Sequence, residues 1–280
     1  MKYIHIVILV VLFSVHSTQS QSKTHLSKAV NIAGKQRMLG QRLAKNKAFI
    51  KAHQKKDIAQ AELEQTIIDF ENGLKTLAEF APTDKIKHKV ALEAYVYKQY
   101  KRDIEDKSKT ALKEIIDTNT LFLNVCDDVV TALIEYSKTI PDVNLSTEKR
   151  HKSYLIDRIS EATGASGKLR YLTQRLTLYF SINEFGFQTV STQELGQIID
   201  DIDHNLSYLT VLEFNTIDID DSLALVHFYW DQLKFNLYDK SGNLTMTPEK
   251  INADLLYDLC NNILDKANTT TKMYADLNKI

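Results

Sequence analysis

The chain has 280 residues, with 35 basic side chains against 36 acidic ones and only two cysteines. A net charge near zero excludes a global field that would draw the protein to nucleic acid or to an anionic membrane surface. Two thiols exclude a disulfide framework or a cysteine-based metal centre, while the length suits one large domain or, as expected here, two of ordinary size.

Residues 1–20 combine Met1-Lys2, the apolar run Ile6 to Val15 and the small or polar Ser17-Thr18-Gln19-Ser20. This pattern predicts a cleaved secretory signal, with an uncleaved N-terminal anchor as the alternative. The mature protein is therefore expected to be periplasmic or secreted, and no later segment is apolar enough to cross a membrane.

From there the chain reads as helix. Apolar residues recur at three- and four-residue steps, as in Leu63, Ile67, Phe70, Leu74, Leu77 and again in Leu195, Ile198, Ile199, Ile202, Leu206, Leu209. Only 3 Pro and 8 Gly interrupt the pattern, and several stand where turns are needed. Helices are predicted over about 24–53, 56–80, 84–110 and 111–139, then 148–187, 191–213, 219–239 and 248–278. Helices of this length fit side by side in a bundle. The expectation is an all-α protein of two tandem antiparallel up-down four-helix bundles, residues 21–143 and 144–280. Pro141 to Thr147 would link them, with a Ser or Thr cap ahead of Glu148; a continuous rod is the alternative.

The two predicted bundles repeat one another. Ser27 to Leu43 and Ser160 to Leu176, 133 positions apart, share Ser, Ala, Gly, Lys, Arg, Leu, Gln, Arg and Leu at matching places. Ala91-Leu92, Tyr95, Tyr97, Gln99 and Lys101 correspond at the same offset to Ala224-Leu225, Phe228, Trp230, Gln232 and Lys234. Cys126 and Cys260, 134 apart, look equivalent; a bridge between them and two buried thiols are both open readings.

On a helix, a turn of about 100 degrees per residue places Val30, Ala33, Gln41, Ala44 and Ala48 near Arg37, whereas Ile32, Leu39, Leu43 and Ile50 lie on the opposite side. In the second copy, Ala165, Leu169, Leu172 and Leu176 mark the apolar side, and Arg170 sits among Thr163, Ser166, Gln174 and Thr177. Each helix thus has two faces. The apolar one packs its own bundle; the other presents an arginine to a partner surface or to water. An arginine buried among small residues needs an acceptor. Its planar, permanently charged head suits nitrate, nitrite, carboxylate or sulfate.

Asn31-Ile-Ala-Gly-Lys-Gln-Arg37-Met-Leu-Gly-Gln-Arg42-Leu43 resembles the opening helix of the PilJ-type domain, the N-terminal region of type IV pilus methyl-accepting chemotaxis transducers. That domain is related to the input domain of nitrate/nitrite sensor kinases. Gly167, Arg170 and Gln174-Arg175 repeat the motif more loosely, with Gly164 in place of Asn31 and Tyr171 in place of Met38. The resemblance implies four-helix bundles with ligand held between the motif arginines of two first helices. Carried onto this chain, it gives Arg37 and Arg170 as the anion-binding pair, with Asn31, Gly34, Gln41, Arg42, Gly167, Gln174 and Arg175 around them.

The function expected is thus a non-enzymatic, exported, sensor-like module. It would bind a small anion and relay occupancy to a protein partner such as a membrane receptor, since neither a kinase nor a methyl-accepting region is visible. Two tandem copies suggest an internal pseudo-dimer; a homodimer would be the other way to pair two such helices. The alternative function is a structural, adhesion- or pilus-associated interaction module without a small ligand. No cofactor is expected. Asp201-Ile-Asp-His204 has a di-iron-like spacing but lacks the remaining ligands, so no metal site is assigned. No nucleophile or acid–base arrangement suggests an enzyme.

Overall fold

The computed structural model describes residues 23–106, 108, 111–139, 147–239, 241–244 and 252–277. The predicted signal segment, most of the linker with its cap, and Pro248 lie outside the described residues. Eight helices are described: α1 (Lys23–Lys51), α2 (Lys56–Phe80), α3 (Asp84–Glu105), α4 (Ala111–Thr139), α5 (Thr147–Glu184), α6 (Thr192–Thr210), α7 (Ile217–Leu237) and α8 (Ala253–Leu277). None is long and apolar enough to cross a membrane.

The helix ends have local causes. Thr83 and Thr216, again 133 apart, accept from the amides of Ile86 and Ile219 and so cap α3 and α7. Ser191 and Glu194 form a reciprocal capping box at the start of α6. The third helix stops at Glu105, five residues short of the expected 110. Asp106 turns extended there, its carboxylate accepts from the amide and hydroxyl of Ser108, and the Ser108 hydroxyl in turn accepts from the amide of Ala111. Such local bonds compete with helix. Gly186, at φ +70°, ends the fifth helix's run in the left-handed region that glycine tolerates.

Helices α1–α4 pack as one antiparallel bundle and α5–α8 as another, with α1 and α5 as the inner pair that joins them. Leu39 and Leu43 of α1 share a continuous core with Leu169, Leu172 and Leu176 of α5. The inner helices run parallel and nearly in register, because Phe49 near the end of α1 meets Phe185 just past the end of α5 edge-on, at 5.4 Å between ring centroids. Both inner helices are consequently buried on nearly every side, unlike a two-faced surface helix. Trp230 is fully buried, whereas Phe228, two residues before it, is 54% exposed. Cys126 and Cys260 are free, buried thiols.

Candidate functional site

The angular argument from sequence places Arg37 away from the apolar seam of its own bundle, and the structure buries it there. Arg37 is 4% exposed and Arg170 is 5% exposed, so neither is a solvated surface charge. Ala44 and Ala48 are fully covered in the core that α1 shares with α5, whereas Ala33 packs inside the first bundle with Leu77, Val90 and Val129.

Both guanidinium groups converge over Gly34. A methyl group on that glycine would stand 3.4 Å from Arg170 Nη2 and 3.6 Å from Arg37 Nη2. Gly167 supports Arg170 from below in the same way, with its missing Cβ position 3.2 Å from Arg170 Nη2. A methyl on Gly34 would stand in ordinary van der Waals contact with both charged heads, and one on Gly167 would press Arg170 more tightly.

The two arginines differ in how their charge is met. Arg37 Nη1 donates to Asp127 Oδ1 of α4 at 2.6 Å, and its guanidinium carbon lies 5.2 Å from the centre of the Tyr171 ring. Arg170 Nη2 donates only to the amide oxygen of Asn31, at 3.3 Å. No carboxylate among the described residues pairs with Arg170. Cys126-Asp127-Asp128 of the first copy reads Cys260-Asn261-Asn262 in the second, so the acid that answers Arg37 has become an amide in the repeat. Burial, and then the charge of Arg37, lower the Arg170 pKa to about 10. It remains a cation at neutral pH, and the Nε atoms of both arginines are buried without an acceptor.

One helical turn further along, Gln41 and Gln174 are fully buried. Neither amide atom of Gln41 has a hydrogen-bond partner, and Gln174 has none for its oxygen. Gln174 Nε2 donates to Asn261 at 3.5 Å. Buried amides normally find partners, so this seam between the bundles holds polar capacity that the protein itself does not use.

Beyond the glutamines lies a second charged cluster that sequence reading missed. Lys45, fully buried, donates to Glu62 of α2 and to Asn261 of α8, both at 3.1 Å. Its ammonium also lies 3.9 Å from the centre of the Tyr257 ring, whose hydroxyl donates to Glu62 at 2.8 Å. Burial lowers the Lys45 pKa to about 8 against the opposing pull of Glu62. Lys45 is four residues, and about 40 degrees around α1, from Gln41, and that spacing was the available signal.

Of the residues singled out from sequence, Arg37, Arg170, Asn31, Gly34 and Gly167 come together, and Gln41 and Gln174 follow one turn away. Two do not join them. Arg175 donates to Thr120 at 3.3 Å and to Tyr179 at 2.7 Å. Arg42 acts electrostatically on Glu62 and Asp69 of α2. A side chain one residue from Gln41 or Gln174 is rotated by about 100 degrees, which takes it out of the α1–α5 seam. The grouping of Ser166 and Thr177 with Arg170 is also corrected: Ser166 bonds Thr271 of α8 at 2.8 Å, and Thr177 lies against Cys260 of the same helix. Helix α5 is enclosed by α1 and α8 together, so its small polar residues serve its own bundle.

No curated protein and no solved structure matches the chain significantly. The family model described as Type IV pili methyl-accepting chemotaxis transducer N-term, PilJ, matches residues 18–115. This stretch contains the Asn31–Leu43 motif, all of α1 to α3 and the start of α4, and it is similar to the PilJ family in agreement with the resemblance carried by the Arg37 motif.

Proposed function

We infer that the protein is a sensor-like module that binds one small anion, nitrate-like or carboxylate-like, between Arg37 and Arg170 and passes occupancy to a protein partner. The observation that carries this reading is Arg170: a guanidinium 5% exposed, beside a second cation, whose hydrogen bond among the described residues is to a neutral amide. Burying an unpaired charge is costly, and an anion over Gly34 would relieve the cost by accepting from both arginines. The PilJ similarity of residues 18–115 supports the coarser statement of a sensory input domain. On this reading residues 21–143 and 144–280 are the two halves of one exported binding unit, and neither half has a catalytic task.

Titration calorimetry with nitrate, nitrite and short carboxylates tests the proposal. Binding of at least one anion, with one site per chain and loss in Arg170→Ala, is expected; absence of heat across the whole panel overturns it. A second reading, a helical interaction module without a small ligand, draws on exposed apolar residues of α3 and α7. It predicts that partner capture persists in Arg170→Ala and is indifferent to anions.

A further inference from the structure

The outer helices of the two bundles carry the same apolar stripe and opposite charge. On α3, Leu92 and Tyr95 are 44% and 63% exposed; their counterparts on α7, Leu225 and Phe228, are 44% and 54% exposed. Large apolar side chains left in water at matching positions of both copies mark an interaction face.

A groove runs beside each stripe, because α2 with α3 and α6 with α7 are the loosely packed neighbours of their bundles. The first groove, about 300 Å³, is bordered by Leu74, Val90 and Ala91 together with Lys75 and Lys87. The second, about 610 Å³, is bordered by Leu223, Ala224 and Phe228 together with Asp220 and Asp231. Lys87 and Asp220 occupy the same place in the repeat, as do Lys98 and Asp231, so the charge beside the apolar centre is reversed at these two positions, while the Lys101–Glu71 and Lys234–Asp203 pairs are alike in the two copies. Among the described residues Lys87 pairs with Asp84 one turn earlier, at 3.1 Å in an exposed pair, a contact of little strength.

We propose that the basic α2–α3 face of one molecule docks on the acidic α6–α7 face of a second copy of this chain. The occupant follows from complementarity: each face supplies what the other lacks, and like faces repel. The contact is heterologous, because the two faces are different surfaces of the molecule, so repetition gives an open row or a closed ring. This association is independent of the arginine site.

Sedimentation velocity of the protein in about 10 mM salt, where the Debye length is about 30 Å, and in about 1 M salt, where it is about 3 Å, reads the prediction. Concentration-dependent association is expected in the first condition and its loss in the second. Lys87→Glu with Lys98→Glu, and separately Asp220→Lys with Asp231→Lys, should each weaken association at least tenfold while leaving helical circular dichroism unchanged, since all four positions are exposed. An equimolar mixture of the two variants should associate again, each face now meeting its opposite only on the other variant. Tyr95→Ser gives a second handle, weakening association with no change of charge. A wild type that stays monomeric at high micromolar concentration in low salt, variants that associate like the wild type, or a mixture that remains monomeric would each overturn the proposal.

Discussion

Arg37 and Arg170 reach the same space over Gly34 from two helices, yet Asp127 neutralises the first and only the amide of Asn31 meets the second. The pair therefore presents one uncompensated positive charge inside the molecule. Without an anion this is a strained state, and Arg170→Met should raise the melting temperature in anion-free buffer. In the wild type, an anion at a hundredfold excess over its Kd should add about 2.7 kcal/mol, or roughly 5 to 10 °C. Scanning calorimetry with and without the anion checks both, and the anion effect should vanish in Arg170→Met.

Gly34→Ala separates binding from folding. Alanine favours helix over glycine by up to about 1 kcal/mol, so stability should hold or rise slightly. The added methyl would stand in contact with both Nη2 atoms, and anion affinity should fall at least tenfold. Denaturant melts and calorimetry on the same sample provide the two readouts.

Glu93 of α3 is fully buried, and its carboxyl faces the Cys126 thiol, a weak hydrogen-bond partner. Burial raises its pKa from the usual 4.5 to about 8. Between those values the folded state holds a proton that the unfolded state has released, so stability falls as pH rises from about 5 to 8, by at most about 1.4 kcal/mol per pH unit. Glu93→Gln should flatten this slope. The matching residue of the second copy, Val226, carries no such group. Urea melts at several pH values measure the difference.

The Lys45–Glu62 pair predicts the opposite slope. Glu62→Gln leaves a buried ammonium without its carboxylate, and a loss of about 3 to 5 kcal/mol is expected near pH 7. A lysine whose folded pKa lies below its usual 10.5 sheds its proton on folding between the two values; Glu62 raises the Lys45 pKa, so its loss extends that window below about 8, and stability should recover as pH rises through it towards 10.5. Thermal melts from pH 7 to 10 would show the recovery in the variant.

The helical plan was legible because few prolines and glycines interrupt a strong apolar period, and the duplication allowed each half to check the other. The end of α3 was less legible, since Asp106 and Ser108 replace helical bonds with side-chain bonds that carry no periodic signal. Angle set Arg37 opposite Leu39 and Leu43, but a two-faced picture of α1 did not reveal that Arg37 would lie between Asp127 of its own α4 and Tyr171 of α5, because α1 is buried nearly all round. The same reasoning misplaced Ser166 and Thr177: α5 is enclosed by two neighbours, and small polar residues do not say which neighbour they touch. Asp127 is 90 positions from Arg37, and only tertiary packing joins them. Lys45 and Glu62 were missed because a lysine on a long helix ordinarily points to water.

The parallel, in-register pairing of α1 with α5 has a consequence for how such a module can diverge. Two identical chains meeting across a twofold axis must bring identical groups to it, so any acid that answers one arginine answers both. Covalent fusion removes that constraint. Asp127 and Asn261, or Asn31 and Gly164, can then differ across the junction, leaving an odd number of charges at its centre. An odd charge at the junction is open to a fused pair and closed to a symmetric one.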